Sequence, residues 1–335
     1  MNDGMILVDA LRDPASTERL DASGWNALLT IARAERLIGS LAYRLDGKAL
    51  PNAVTAILAD ERGNAEYQRR SALWEADCAR RALVDYPGKV VLMKGTAYAA
   101  AGLQAAKGRH IGDLDIMVSR QGLPDVEAAL LVAGWEWVKE DAYDDAYYRD
   151  HMHELPPLIH KERDRMIDVH HTILPLTARP RPDAVAMLAD AEALENGLFV
   201  FSSTDMVIHS AAHLFADGEL DGGLRNLWDI HCLITEFADE AFWPVLKSRA
   251  HHHQLWPAVH RAARLAHRLY GSEIPEGWDS KHGSDKYHAM RLTARDNWGR
   301  GTRKFTRLAF YIRSHWLRMP PLMLARHLWV KWRKG

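Results

Sequence analysis

Val90-Val91-Leu92-Met93-Lys94-Gly95-Thr96 and, further on, Gly112-Asp113-Leu114-Asp115-Ile116-Met117-Val118 set the frame for this chain. The first run reads as a buried strand that ends in a glycine turn, and the helix-favouring segment Ala97 to Gln104 follows it. The second alternates strictly, which predicts a strand over 113 to 118 with Asp113 and Asp115 on one face. Two residues along a strand are separated by roughly 6 to 7 Å, so both carboxylates can converge on hard cations, which take oxygen ligands. The turn at Lys94-Gly95-Thr96 offers backbone N–H groups at the start of a helix, an arrangement that suits phosphate. Acids and turn together point to metal-assisted chemistry on a nucleotide.

The chain of 335 residues is 47% hydrophobic and 26% charged with a net charge of −1, an ordinary globular composition. Its two cysteines, Cys78 and Cys232, are far apart and lack a metal-ligand spacing, so the expected setting is a reducing cytoplasm. Met1-Asn2-Asp3-Gly4 carries no basic n-region, so no secretory signal is expected. No apolar run approaches the about 18 residues that a membrane span needs. The charge is unevenly spread. From Arg300 onward there are ten basic and no acidic residues, which leaves a net of −11 on the rest.

Three regions follow from the patterning. Residues 1–84 read as helical, with apolar faces at Leu28, Leu29, Ile31, Ala32, Leu37 and Ile38 and a long helix after Pro51. Residues 85–178 read as a small mixed sheet, with strands at 89–94, 113–118, 135–138, 154–160 and 166–173 and helices from Thr96 and over 123–133. Residues 179–335 read as helices over 183–193, 204–216, 224–236, 239–252 and 254–270, closed by a basic tail. The expected fold class is α+β. The stretch Asp141, Tyr143, Asp144, Asp145, Tyr147, Tyr148 and Asp150 reads as a solvated loop, or as the lining of a pocket for a cationic acceptor.

A third carboxylate completes the metal argument. Asp168 stands in the apolar strand Ile167-Asp168-Val169-His170, where a solvated position is not expected. Together, Lys94-Gly95-Thr96, Arg109 with Asp113-Leu114-Asp115, and Ile167-Asp168-Val169-His170 resemble the uncharacterised nucleotidyltransferase family of the DNA polymerase β-like superfamily. That family is similar to the aminoglycoside and lincosamide nucleotidyltransferases. The downstream His209, His213 and Leu224-x3-Trp228-Asp229 look similar too. Two departures stand out: Gly95-Thr96 replaces a Gly-Gly or Gly-Ser pair, and the spacer to Asp113 is long.

The resemblance implies transfer of a nucleoside monophosphate from an NTP, ATP among them, to an acceptor hydroxyl or phosphate, with Mg²⁺ (or Mn²⁺) as cofactor. Asp113, Asp115 and Asp168 would hold two ions about 3.5 to 4 Å apart, bridging attacking and leaving oxygens. Lys94, Gly95, Thr96 and Arg109 would bind the triphosphate, and His170 would orient Asp168 or touch the acceptor. The acceptor itself, whether small molecule, peptide or protein, is open.

Other readings compete. A nucleotide-binding or scaffolding module could keep the fold without catalysis. His209 and His213 share a helix face at a spacing compatible with a metal, and with Asp229 they suggest a metal-dependent phosphohydrolase. Their plainer reading is as polar helix-face or buried hydrogen-bonded histidines, and His251-His252-His253 reads as solvated. In the tail, Phe305, Leu308, Ala309, Ile312 and Trp316 recur at helical spacing, with Trp329 and Trp332 beyond Pro320-Pro321. The plain expectation is a capping helix whose stripe packs on the acidic body. RNA, an anionic membrane surface or an acidic partner are the alternatives.

Overall fold

The computed structural model describes residues 4–139, 141–216, 218–280, 282–318 and 329. The fold is α+β, a seven-stranded mixed sheet packed among helices. Its strands are β1 Val91–Leu92, β2 Leu114–Met117, β3 Trp135–Trp137, β4 Leu158–His160, β5 Met166–His170, β6 Glu192–Ala193 and β7 Phe199–Val200. They lie in the order β3-β4-β5-β2-β1-β7-β6, with β2 parallel to β5, β1 parallel to β7 and the other pairs antiparallel. The central strands β1 and β2 are buried along their whole length, which accounts for their unbroken apolar character outside Asp115.

The residues before the sheet form the helices Met5–Arg12, Ala22–Ala34, Ile38–Arg44 and Asn52–Ala82. Ala22–Ala34 starts at Asp21, whose carboxylate accepts the Gly24 N–H at 2.8 Å and satisfies one otherwise orphaned donor. Asn52–Ala82 starts after Pro51 and is laced outside by same-helix ion pairs, Glu66 with Arg69 and Arg70 and Asp77 with Arg80 and Arg81. Its inner line of Leu58, Ala65, Ala72, Ala76 and Ala79 packs against the helix Lys94–Ala100 and β2. Small side chains there allow the long helix to approach the sheet closely. Gly39 and Gly108 touch backbone to backbone, and a Cβ on either would overlap the other, so glycine is required at this crossing.

Behind the sheet lie Ser203–Ala216, Gly223–Phe237, Phe242–His252 and Trp256–Tyr270. One hydrophobic cluster runs without a break from Leu7 to Phe310. Among the described residues, no helix is long and apolar enough to cross a membrane.

Three local readings are corrected. The acidic, tyrosine-rich stretch is a helix, Ala142–His151, held by Arg149, which pairs with Glu127 at 2.8 Å and with Asp145 at 2.9 Å. The segment read as one helix over 183–193 is a shorter helix, Ala184–Ala189, followed by β6. The pair β6 and β7 carries the sheet past residue 178, and two-residue strands are too short to show alternation. Third, the stripe of the tail helix Lys304–Arg318 faces outward: Phe305 is 90% exposed and Leu308 and Ile312 are exposed as well. The buried side of that helix carries Phe310, edge-on to His288 at 5.0 Å, and Ser314, which backs onto the bare Gly218. The fit of Phe310 and the missing side chain at 218, rather than the longer apolar stripe, fix its rotation. The Trp316 side chain, Pro320-Pro321 and Trp332 lie outside the described residues.

Candidate active site

Parallel pairing of β2 and β5 places Asp115 directly beside Asp168. In-register neighbours point to the same face, with backbones about 4.8 Å apart. His170, two residues beyond Asp168, shares that face, and its Nε2 lies 3.0 Å from Asp115 Oδ1. Lys94 arrives from the other side, where β1 turns into the helix Lys94–Ala100. Its φ of +49° is left-handed, a conformation that costs a non-glycine residue about 1–2 kcal/mol and persists where surrounding structure demands it. The bend delivers Lys94 Nζ to Asp115 Oδ1 at 2.6 Å.

These neighbours set the charges. Burial pushes Asp115 upward, but the Lys94 ammonium and the His170 ring outweigh it and hold the carboxyl far below its usual range. Asp168 goes the other way. Burial, then the negative charges of Asp115 and Glu154, push it up to about 6. Burial works against the Lys94 ammonium, but Asp115 wins and the group stays firmly charged. One face therefore carries one permanently ionised carboxylate and one poised carboxylate, the asymmetry that separates acid from base roles.

Two residues of this face have no counterpart in the sequence reading. Glu154 bridges to His170 in antiparallel fashion, and the His171 N–H donates to the His153 carbonyl at 2.9 Å, so the segment entering β4 runs beside the end of β5. Glu154 Oε2 then sits 3.2 Å from His170 Nδ1 and 3.5 Å from His153 Nε2. Burial drives His153 down to about 3, so its ring is neutral at pH 7, and burial raises the Glu154 carboxyl. The strand expected over 154–160 begins only at Leu158, so Glu154 lies before β4 and, like His153, carried no signal of a site.

His209 and His213, singled out from sequence for their spacing, come from Ser203–Ala216 to the same place. They close a cavity of about 220 Å³ whose floor carries Lys94, Asp168 and His170 and whose rim carries His153 and Glu154. Burial keeps His209 neutral. The volume is below the ~300–1,000 Å³ usual for a whole small-molecule ligand, so the cavity suits a phosphate group and its counter-ion rather than a complete nucleotide.

Other predicted residues lie apart from this cavity. Asp113 is exposed, one residue before β2, and lines a narrow cleft together with Thr96. Thr96 Oγ1 is buried without a hydrogen-bond partner among the described residues. Arg109 lies across Gly95, where any Cβ would overlap its guanidinium, and it pairs with the buried Asp229 at 3.1 Å. Asp229 also takes Arg225 at 2.6 Å, so it serves two arginines and not the histidines of Ser203–Ala216.

The raised Asp168 carboxyl has a sign that can be checked. Because its folded value near 6 exceeds its ordinary 3.8, this group makes no difference to stability below about pH 4, and stability is lost as pH rises through 6. Replacing Glu154 by Gln removes one of the negative charges and is expected to lower the Asp168 value. A carboxyl-carbon NMR titration of both proteins measures this, and an unchanged midpoint would rule out the assigned cause.

No curated protein matches the chain significantly. Residues 21–271 match the family described as uncharacterised nucleotidyltransferase. That span takes in the long N-terminal helix, the whole sheet and the helix bearing His209 and His213. The chain belongs to that family of nucleotidyltransferases.

Proposed function

We propose that this protein moves a nucleoside monophosphate from an NTP to a hydroxyl or phosphate of an acceptor, releasing pyrophosphate, in the manner of the DNA polymerase β-like enzymes and with Mg²⁺. The observation that carries the reading is the in-register pair Asp115 and Asp168 beside the strained bend at Lys94. The donor set fits the ion: carboxylate oxygens suit Mg²⁺, and Mn²⁺ takes the same ligands. Asp168 is largely buried and has the carboxylates Asp115 and Glu154 beside it, a repulsion that a dication would relieve.

In this proposal Asp115 and Asp168 would hold the cofactor, and Asp113, two residues before Asp115, would join them from the neighbouring cleft. When bound, Mg²⁺ offsets charge on the attacking and leaving oxygens and lowers the acceptor hydroxyl's pKa. Asp168 completes the ion's ligands or acts as general base for the acceptor hydroxyl; its rise to about 6 belongs to the ion-free site. Lys94 and the N–H groups of Gly95 and Thr96 take the phosphates, with Arg109 packed against Gly95 to hold that turn. His170 fixes Asp115 through its 3.0 Å contact. Calorimetry with Mg²⁺ and each NTP tests this. Wild type is expected to bind at least one NTP and the Asp113→Ala/Asp115→Ala double variant none, whereas no binding to wild type, or equal binding to both, would defeat the proposal.

One observation favours a second reading. Lys94 already neutralises Asp115 from within the chain, as a module that binds nucleotide without catalysis would. Nucleotide binding with no pyrophosphate release across a broad acceptor panel would select it.

A further inference from the structure

We propose that His153, Glu154 and His170 bind one first-row transition-metal dication of the Zn²⁺ class, at a site separate from the aspartates assigned to Mg²⁺. Among the described residues, these three form the one group of metal-ligating side chains whose donor atoms all lie within 4.8 Å of one another.

Spacing supports the assignment. Glu154 Oε2 is 3.2 Å from His170 Nδ1 and 3.5 Å from His153 Nε2. A tetrahedral ion with bonds of about 2.0–2.1 Å separates its ligand atoms by roughly 3.3–3.4 Å. Both Glu154 distances lie within about 0.2 Å of that spacing, and the third pair lies within 4.8 Å.

His170 supplies an independent observation. Its Nε2 lies 3.0 Å from the Asp115 carboxylate, so a ring with one proton carries it on Nε2 and offers the Nδ1 lone pair. That Nδ1 is buried, in a residue 2% exposed, and has no hydrogen-bond partner. It faces Glu154 Oε2 at 3.2 Å, an approach that a positive charge between the two atoms, a ring proton or a bound cation, makes favourable. A carboxylate on one ring nitrogen and a metal on the other is the arrangement that fixes a ligating histidine in its tautomer.

Two imidazole nitrogens, which are borderline-soft donors, beside one carboxylate favour Zn²⁺ and its neighbours over Mg²⁺. Three protein ligands leave a fourth position, and this one opens into the cavity walled by His209 and His213. An ion held there meets whichever oxygen of the nucleotide or acceptor enters.

The test is equilibrium dialysis of the full chain with Zn²⁺ against excess Mg²⁺, read by elemental analysis, with Co²⁺ absorption as a second measurement. One equivalent per chain is expected, with the Co²⁺ spectrum of a four-coordinate site. Both His153→Ala and Glu154→Gln are expected to weaken Zn²⁺ binding beyond the about 10–100-fold that loss of an outer supporting contact costs. Glu154→Gln is nearly isosteric, so it remains informative if His153→Ala fails to fold, and thermal melts report on that. No stoichiometric Zn²⁺ in wild type would overturn the proposal, and so would Zn²⁺ kept by both variants. Zn²⁺ lost only in His209→Ala or His213→Ala, or only on replacing His251 and His252 (the exposed part of a run read as solvated, whose His253 is buried), would overturn it too. NTP binding in Mg²⁺ alone is measured separately, so this site can fail while the transferase reading stands.

Discussion

Asp168→Asn is expected to lower nucleotidyl transfer by about 10²–10⁴-fold, the range for loss of a positioned proton acceptor, while NTP affinity changes far less. The substitution keeps shape and removes charge. Because Asp168 is buried beside Asp115 and Glu154, its ionised form is disfavoured in the folded chain, so removing the charge is expected to raise the melting temperature above pH 6. Activity and stability should therefore move in opposite directions. Pyrophosphate release and thermal melts at pH 8 measure both, and a parallel loss of the two would mean that Asp168 is structural.

The largest stability effect is expected at Asp229. This carboxylate, 2% exposed, holds Arg109 at 3.1 Å and Arg225 at 2.6 Å; Arg225 is buried with it and the Arg109 side chain is 13% exposed. Burial already depresses Arg225 to about 10 even with its partner present. Asp229→Ala leaves two positive charges without the acid they share, and breaking a buried pair costs about 3–5 kcal/mol. That is a large part of the roughly 5–15 kcal/mol by which a native domain is stable. Arg225 also donates to Ser40 Oγ at 2.9 Å and to the Ala105 carbonyl, so the damage spreads to the junction of N-terminal helices and sheet. Urea denaturation of the variant gives the value, and a loss below about 1 kcal/mol would show that the arginines find other acceptors.

Much of the fold was legible because it rests on local pattern. The apolar run ending at Lys94 and the alternation around Asp115 and Asp168 marked β1, β2 and β5, and Asp168 stood out as a charge in an apolar strand. The same alternation could not reveal that β2 and β5 pair in parallel with Asp115 opposite Asp168, because register is a tertiary property. Glu154 and His153 were invisible for a related reason: they lie outside regular structure and gain meaning from the bridge to His170. His209 and His213 carried a spacing signal, but they share a cavity with Lys94, Asp168 and His170, and His213 Nδ1 meets Asn226 rather than Asp229 on the next helix. Asp113 shows the converse case. Strand period places it near Asp115, yet it stands before β2 begins, at an exposed position by a different cleft. The tail stripe misled because periodicity identifies an amphipathic face without saying which neighbour has room for it.

The pairing of β1 has a consequence for how the chain is made. One edge of β1 meets β2 soon after it leaves the ribosome, but the other edge waits for β7, at Phe199–Val200. During synthesis that edge stays unpaired and offers free N–H and C=O groups to any strand nearby. A nascent chain stalled before Phe199 would thus carry its Lys94 bend on a bare, adhesive border.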